Sequence, residues 1–293
     1  MTLTIWWVTC LIWSSVFLFI KIGLGDLPPV TFAAVRLLVA IAVFLPILRW
    51  RGVSLPRRAA DWTVIFVAGL LILGANYALL FWGAQFIPSG LTAVVSAITP
   101  AFALVFGHFM LPDEPFTVKA LGAIVIGIAG VALISADQLH IAGRMALLGS
   151  LAVAAGSMCV GFGYVFVKAQ GGRRLPPEVL SCGQIMCAAG PMLAFAAVRE
   201  GNPFAQNWTP LAIGCVVYLA VAGSVGAMWL NYWLLERISA TAVLSMALVE
   251  PLIAVLLGAV FLGERITVNA AVGGVLVLCS IFMITISLPR RRT

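Results

Sequence analysis

Phe17-Leu18-Phe19-Ile20-Lys21, followed after a short turn by Leu27-Pro28-Pro29, returns later in the chain as Tyr164-Val165-Phe166-Val167-Lys168 and Leu175-Pro176-Pro177. Each proline pair opens a long apolar run. Proline is tolerated in the first turn of a helix, where its missing N–H has no intrahelical partner anyway. Further echoes follow in the same order. Phe81-Trp82 is answered by Tyr232-Trp233, Thr99-Pro100 by Glu250-Pro251, and Leu111 to Thr117 by Leu262 to Thr267. The repeat divides the chain at residues 1–137 and 138–293. With an odd number of membrane crossings in each half, the second half starts from the opposite face and is inverted. Such halves can rock about a central site.

The composition supports lipid as the solvent. Of 293 residues, 63% are hydrophobic and 9% are charged, against about 25% charged in a soluble domain. A crossing helix needs roughly 20 apolar residues. That ruler predicts an all-α polytopic membrane protein with ten transmembrane helices, as two inverted five-helix repeats. The first repeat reads as about 3–24, 29–49, 61–85, 88–111 and 115–135. The second reads as about 143–169, 176–199, 210–235, 238–262 and 266–288. The first run lacks a basic leader and a small-residue cleavage site, so it reads as a span and not as a cleaved signal peptide. The six cysteines all fall in apolar runs without CxxC spacing, which predicts free thiols packed as small apolar groups.

Basic residues predict the orientation. Arg49, Arg51, Arg57, Arg58, Lys119, Lys168, Arg173, Arg174, Arg237 and residues 290–292 fall on one set of loops. Lys21, Arg144, Arg199 and Arg265 fall on the other. The positive-inside rule then places both termini in the cytoplasm of a multi-pass inner-membrane protein. The net charge of +7 comes from these short loops and does not argue for nucleic acid.

Polar groups at membrane depth need partners or water. Glu250 stands near the middle of the ninth span, directly before Pro251. It reads as a proton or amine site, or equally as a protonated acid bonded to a neighbouring helix. Pro251 and Pro100 each free the carbonyl four residues earlier, those of Ala247 and Ser96. Arg36, two turns into the second span and matched by Gln184, could hold a substrate carboxylate or serve as a structural tie to Glu250 or a carbonyl. Trp13, Ser14, Phe17 and Lys21 recur at helical spacing. The aromatic members read as cavity wall or as core, and Lys21 as a carboxylate anchor or an interfacial lysine. Tyr77, Tyr164 and Trp229 are further candidates for an aromatic wall. Asn76 and Thr99 are neutral polar groups at depth, and the plain reading for them is helix-to-helix hydrogen bonding.

No GxxxxGK[ST] loop, HExxH or paired His/Cys spacing occurs, so neither a built-in ATPase nor a metal hydrolase is expected, and no cofactor is implied. Trp13-Ser14-Ser15 followed by Lys21, the Pro-Pro start of the second span with Arg36, and Leu262-Gly263-Glu264 before the last span resemble the EamA group of the drug/metabolite transporter superfamily. The first repeat departs from the Glu pattern at Leu111-Pro112-Asp113-Glu114. Within the group the chain is similar to YddG-type exporters of aromatic and other neutral amino acids. The resemblance implies an inner-membrane exporter of amino acids or related small metabolites without its own ATPase. The expected partners are the small-molecule substrate and membrane lipid, with no nucleic acid, and the expected state is a monomer. A broad metabolite or nucleotide-sugar permease, a membrane-embedded lipid enzyme and a scaffold without a pathway stand as alternatives. The enzyme would need an acid, histidine or metal cluster that the sequence does not supply.

Overall fold

The computed structural model describes residues 2–111, 118–170, 175–235, 237 and 246–287. Every long described element is helical. The order is α1 (Thr2–Gly23), α2 (Pro29–Trp50), α3 (Ala59–Gly69), a π-helical stretch Leu70–Ala75, α4 (Asn76–Ala84), α5 (Ser89–Ser96) and α6 (Thr99–Met110). Then come α7 (Val118–Ala142), α8 (Arg144–Ala169), α9 (Pro177–Glu200), α10 (Pro210–Tyr218), a second π-helical stretch Leu219–Gly226 and α11 (Ala227–Leu235). The last two are α12 (Met246–Leu262) and α13 (Val268–Ser287).

Seven of these continuous runs are long and apolar enough to cross a membrane. Leu121–Ile134, Val249–Leu262 and Val268–Met283 are shorter apolar helical stretches. Three expected spans are internally broken. The third carries its π turn between α3 and α4, the fourth bends at Ala97-Ile98 between α5 and α6, and the eighth carries the second π stretch between α10 and α11. Residues 238–245 of the expected ninth span and the 112–117 linker lie outside the described residues, as do Glu236 and the side chain of Tyr232.

Spans in lipid gain little from the hydrophobic effect, so they associate by close packing of small residues. α7 lies against α13, and α4 against α8. At the first contact, a Cβ on Gly130 would stand 2.6 Å from the Gly273 carbonyl oxygen, and one on Gly273 2.7 Å from that of Gly130. Gly83 and Gly149 meet with similar reciprocity. No side chain fits either seam, because the obstacle is backbone.

α2 and α9 run antiparallel and are pinned at both ends. At one end the Arg51 guanidinium pairs with Glu178 at 3.0 Å. At the other, Glu200 accepts from the backbone N–H groups of Val30 (3.0 Å) and Thr31 (2.7 Å), at the first turn of α2. A carboxylate there satisfies donors that the helix cannot pair itself. α2 also packs on the π stretch before α11, and α9 on the π stretch before α4. The two ends are called here the Arg51 end and the Lys21 end.

Gly130→Val should lower the stability of the detergent-solubilised protein by about 1–3 kcal/mol, the usual cost of overpacking a filled seam. A melting curve followed by size-exclusion peak area checks it.

Candidate functional site

Arg36 sits about 10 Å along α2 from the Lys21 end, counted at 1.5 Å per residue. It is buried, with 3% of its surface exposed. Its Nε donates to the Ser224 hydroxyl at 3.3 Å, and its guanidinium carbon lies 4.8 Å from the Tyr77 ring centre. Both partners belong to the spans that contain π turns. Ser224 is inside the second π stretch, and Tyr77 follows the first by two residues. A π turn widens a helix locally and is often found at functional sites. Gly223 supplies room next to the guanidinium, since a Cβ there would approach Nη2 to 3.4 Å. Among the described residues no carboxylate pairs with Arg36. Hydroxyl and ring contacts solvate the cation but do not neutralise it.

Around this point the aromatic wall differs from the expected stripe. Ser15 and Phe19 of α1 face Tyr218, with Ser15 Oγ 2.6 Å from Tyr218 Oη and the Phe19 and Tyr218 rings 4.0 Å apart. Tyr77 continues to Phe81 at 5.7 Å, and Phe81 to Phe32 at 5.2 Å. Trp13 lies instead in a separate apolar cluster with Cys10, Leu234 and Met246. Phe17 packs on the main core. Tyr164 is 59% exposed on α8. The structure thus brings Arg36 and Tyr77 together, packs Phe17 on the same main core as Tyr77, and leaves Trp13 and Tyr164 elsewhere.

The proline sites behave in a chemically specific way. The Ser96 carbonyl, which Pro100 prevents from pairing within the helix, accepts from Thr99 Oγ1 at 2.8 Å and from Ser157 Oγ at 3.3 Å. Thr99 is therefore used as a backbone cap and α8 helps to close the break. Asn76 packs against Gly156 of α8, where a Cβ would meet its Oδ1 at 2.8 Å. Pro251 is buried inside α12. Glu250, one turn beyond Met246, is within electrostatic reach of Cys10 on α1, so it borders the Trp13 cluster and not the Arg36 contact. The expected Arg36–Glu250 tie is not formed.

Lys21 has a different office from the one its depth suggested. Its Nζ donates to the carbonyls of Ala84 (2.7 Å), Gln85 (3.0 Å) and Ile87 (2.8 Å). An ammonium has three protons, and all are used here. Immediately beyond, Glu264 accepts from the Ser89 N–H (2.6 Å), the Ser89 hydroxyl (3.0 Å) and the Gly90 N–H (3.2 Å). The turn between α4 and α5 is thus held by a cation at the C-terminus of one helix and an anion at the N-terminus of the next, the favourable sense at both dipoles. Gly263, at φ 64°, aims Glu264 back over α5.

Trp229 belongs to a third place. Between α2, α9 and α11, at the Arg51 end, lies a cavity of about 220 Å³. Its rim carries Arg51, Glu178, Trp229, Trp233 and Arg237, and its floor Phe44, Leu48 and Met228. Arg51 lies over the Trp229 ring at 5.2 Å and Arg237 over the Trp233 ring at 4.0 Å. Val225, also in its wall, directly follows the Ser224 that holds Arg36.

Sequence reasoning missed Tyr218, Ser224, Glu178, Glu200 and the partner of Glu264. Tyr218 and Ser224 carried one usable signal, since each is a hydroxyl in an otherwise apolar run. Glu200 and Glu178 stand at helix ends and offered none beyond their charge.

An apolar helical bundle with a buried, un-neutralised cation defines a polytopic membrane protein built around a polar interior. The chain belongs to the EamA-like transporter family, whose model matches residues 3–136 and again 147–286. It is similar to the uncharacterized transporter YoaV of Bacillus subtilis, with 29% identity covering 96% of both chains. It is 31% identical to the uncharacterized inner membrane transporter YedA of Escherichia coli K12, over 88% of this chain and 81% of the relative. A Salmonella typhimurium relative described as a probable amino-acid metabolite efflux pump is 27% identical over 96% of this chain and 94% of its own. A solved crystal structure shares the fold, with a TM-score of 0.66 and 22% identity over 97% of this chain and 96% of that one.

Lys21→Met keeps most of the apolar stem and removes the three donors. It should cost about 1.5–3 kcal/mol of stability, the range for hydrogen bonds to charged groups. Thermal unfolding in detergent measures this. A variant that melts like the wild type yet fails to transport would return Lys21 to the substrate.

Proposed function

We propose that the protein exports amino acids, aromatic and other neutral ones, or related small metabolites, by alternating access through a central pathway, and does no covalent chemistry. The observation that carries the reading is Arg36. A buried guanidinium held only by Ser224 and a ring face is placed to accept a carboxylate that comes and goes. Tyr77 and Tyr218 with their aromatic neighbours offer an apolar wall beside it. The name of the Salmonella relative points the same way.

The ten spans form two inverted five-helix halves, 1–137 and 138–293, with both termini in the cytoplasm of the inner membrane. The antiparallel pairing of α2 with α9, their equivalent packing on the two π stretches and the twofold match of the family model support this. The Arg51 end then faces the cytoplasm and the Lys21 end the outside. The chain acts as a monomer. Glu250, beside Cys10 and Pro251, is the site for proton coupling if export is coupled.

Arg36→Gln should lower uptake of phenylalanine or tryptophan into proteoliposomes by about tenfold or more, as expected for loss of one charge-assisted contact. It should leave the oligomer profile and melting point of the protein nearly unchanged. Equal transport by the variant would remove Arg36 from the pathway. Orientation is read separately, by a reporter fused after Thr293 and by labelling of a cysteine placed at Asp137. A Thr293 reporter active only outside the cytoplasm would break the inverted layout.

A further inference from the structure

We propose that the cavity at the Arg51 end is a loading site for a zwitterion with a bulky apolar side chain, occupied before the substrate reaches Arg36. The inference rests on the amino-acid reading above and gives it a second, distinct subsite.

The rim carries both signs of charge. Arg51 is fixed from two sides, by Glu178 at 3.0 Å and by the Trp229 face at 5.2 Å. Arg237 is fixed by the Trp233 face at 4.0 Å and by a hydrogen bond from its Nη1 to the Trp233 carbonyl at 3.0 Å. Guanidinium groups held in this way lose little freedom on meeting a carboxylate. Glu178 orients Arg51, and its charge also offsets part of the rim's pull on anions. Glu178 offers the negative partner that an α-ammonium requires. Phe44, Leu48 and Met228 form an apolar floor for the side chain.

Size and position narrow the ligand. About 220 Å³ falls below the roughly 300–1,000 Å³ of sites for drug-sized ligands. It suits one amino acid and is short for a nucleotide sugar. The wall residue Val225 and the Arg36 partner Ser224 are adjacent in one π-helical stretch. A ligand that presses on the wall therefore acts on the same turn that holds Arg36.

The test uses the full-length protein in phosphatidylcholine proteoliposomes, with substrate applied at the Arg51 side. The probes are phenylalanine and 3-phenylpropionate, which has the same carboxylate and ring but no ammonium. In wild type, phenylalanine should bind with the lower apparent KM. Glu178→Gln should raise the phenylalanine KM about tenfold at nearly constant kcat and leave the 3-phenylpropionate KM unchanged, so the discrimination disappears. Glu178→Asp, which keeps the charge, should preserve it. Trp229→Ala should raise both KM values. Unchanged KM values in all variants overturn the loading site while leaving export intact. An equal rise for both probes in Glu178→Gln also overturns it, because Glu178 then only orients Arg51. If added phosphatidylglycerol weakens phenylalanine uptake through Arg51 while Glu178→Gln has no effect on discrimination, the cavity holds a lipid headgroup instead. A wild type that moves neither probe sinks the amino-acid reading itself.

Discussion

A bilayer offers no water to a backbone carbonyl or a buried cation, and much of this structure follows from that shortage. Wherever the chain breaks a helix, some other part of it must supply the lost bond. At the Pro100 bend the Ser96 carbonyl is met by Thr99 and Ser157. At the α4–α5 turn three carbonyls are met by Lys21, and the next helix start by Glu264. At the start of α2 the amides are met by Glu200. Few charged residues are available, and several of them act as caps on helices to which they do not belong. Arg36 is the exception, because its partners are neutral and leave its charge in place.

The two ends are held by different kinds of contact. At the Lys21 end, Lys21, Glu264 and Glu200 each bridge separate helices through two or more bonds. Thr209 adds a hydrogen bond to Asp26 there, at 2.5 Å. At the Arg51 end, the described groups form the Arg51–Glu178 pair and two arginines resting on indoles, around an open cavity. Ion pairs exposed to this degree contribute little, about 0–1 kcal/mol. Under the proposed orientation, the cavity at the Arg51 end lies on the cytoplasmic side, where an exporter takes up its load.

The helices and their approximate bounds were legible because they depend on length and hydropathy alone. The freed Ser96 carbonyl was legible for the same kind of reason, since proline's missing donor is a local fact. Which face of α1 looks inward was not. Trp13, Phe17 and Lys21 do share a face, but α1 is apolar all round, so periodicity marks neighbours without marking the interior. Tyr164 stands on an equally uniform helix, where periodicity again marks no inward face. The π turns are a second reason. Leu70–Ala75 and Leu219–Gly226 shift the register of their spans, and an extrapolation at 3.6 residues per turn loses the direction of Tyr77 and Ser224. The family motif Leu262-Gly263-Glu264 was visible, yet its work became clear only when Glu264 was seen against Ser89 and Gly90, 175 and 174 residues away in sequence.

The chemistry of the interior also argues for breadth in what it accepts. In the proposed pathway, Arg36 would supply one strong polar anchor that reads a carboxylate and nothing of the rest. The surrounding surface is built from Tyr77, Tyr218, Phe19 and Phe81, which discriminate through stacking. Such contacts typically add about 0.5–1.5 kcal/mol beyond burial, a severalfold to roughly tenfold preference. Strict selection requires buried donors and acceptors that a wrong ligand would leave unpaired. Here the hydroxyls of Ser15 and Tyr218 already satisfy each other, and that of Ser224 is engaged with Arg36 and with the Leu219 carbonyl. A wrong side chain therefore leaves little unpaired. Under the proposed function, a wall that penalises little would admit many apolar side chains, provided that each brings a carboxylate for Arg36.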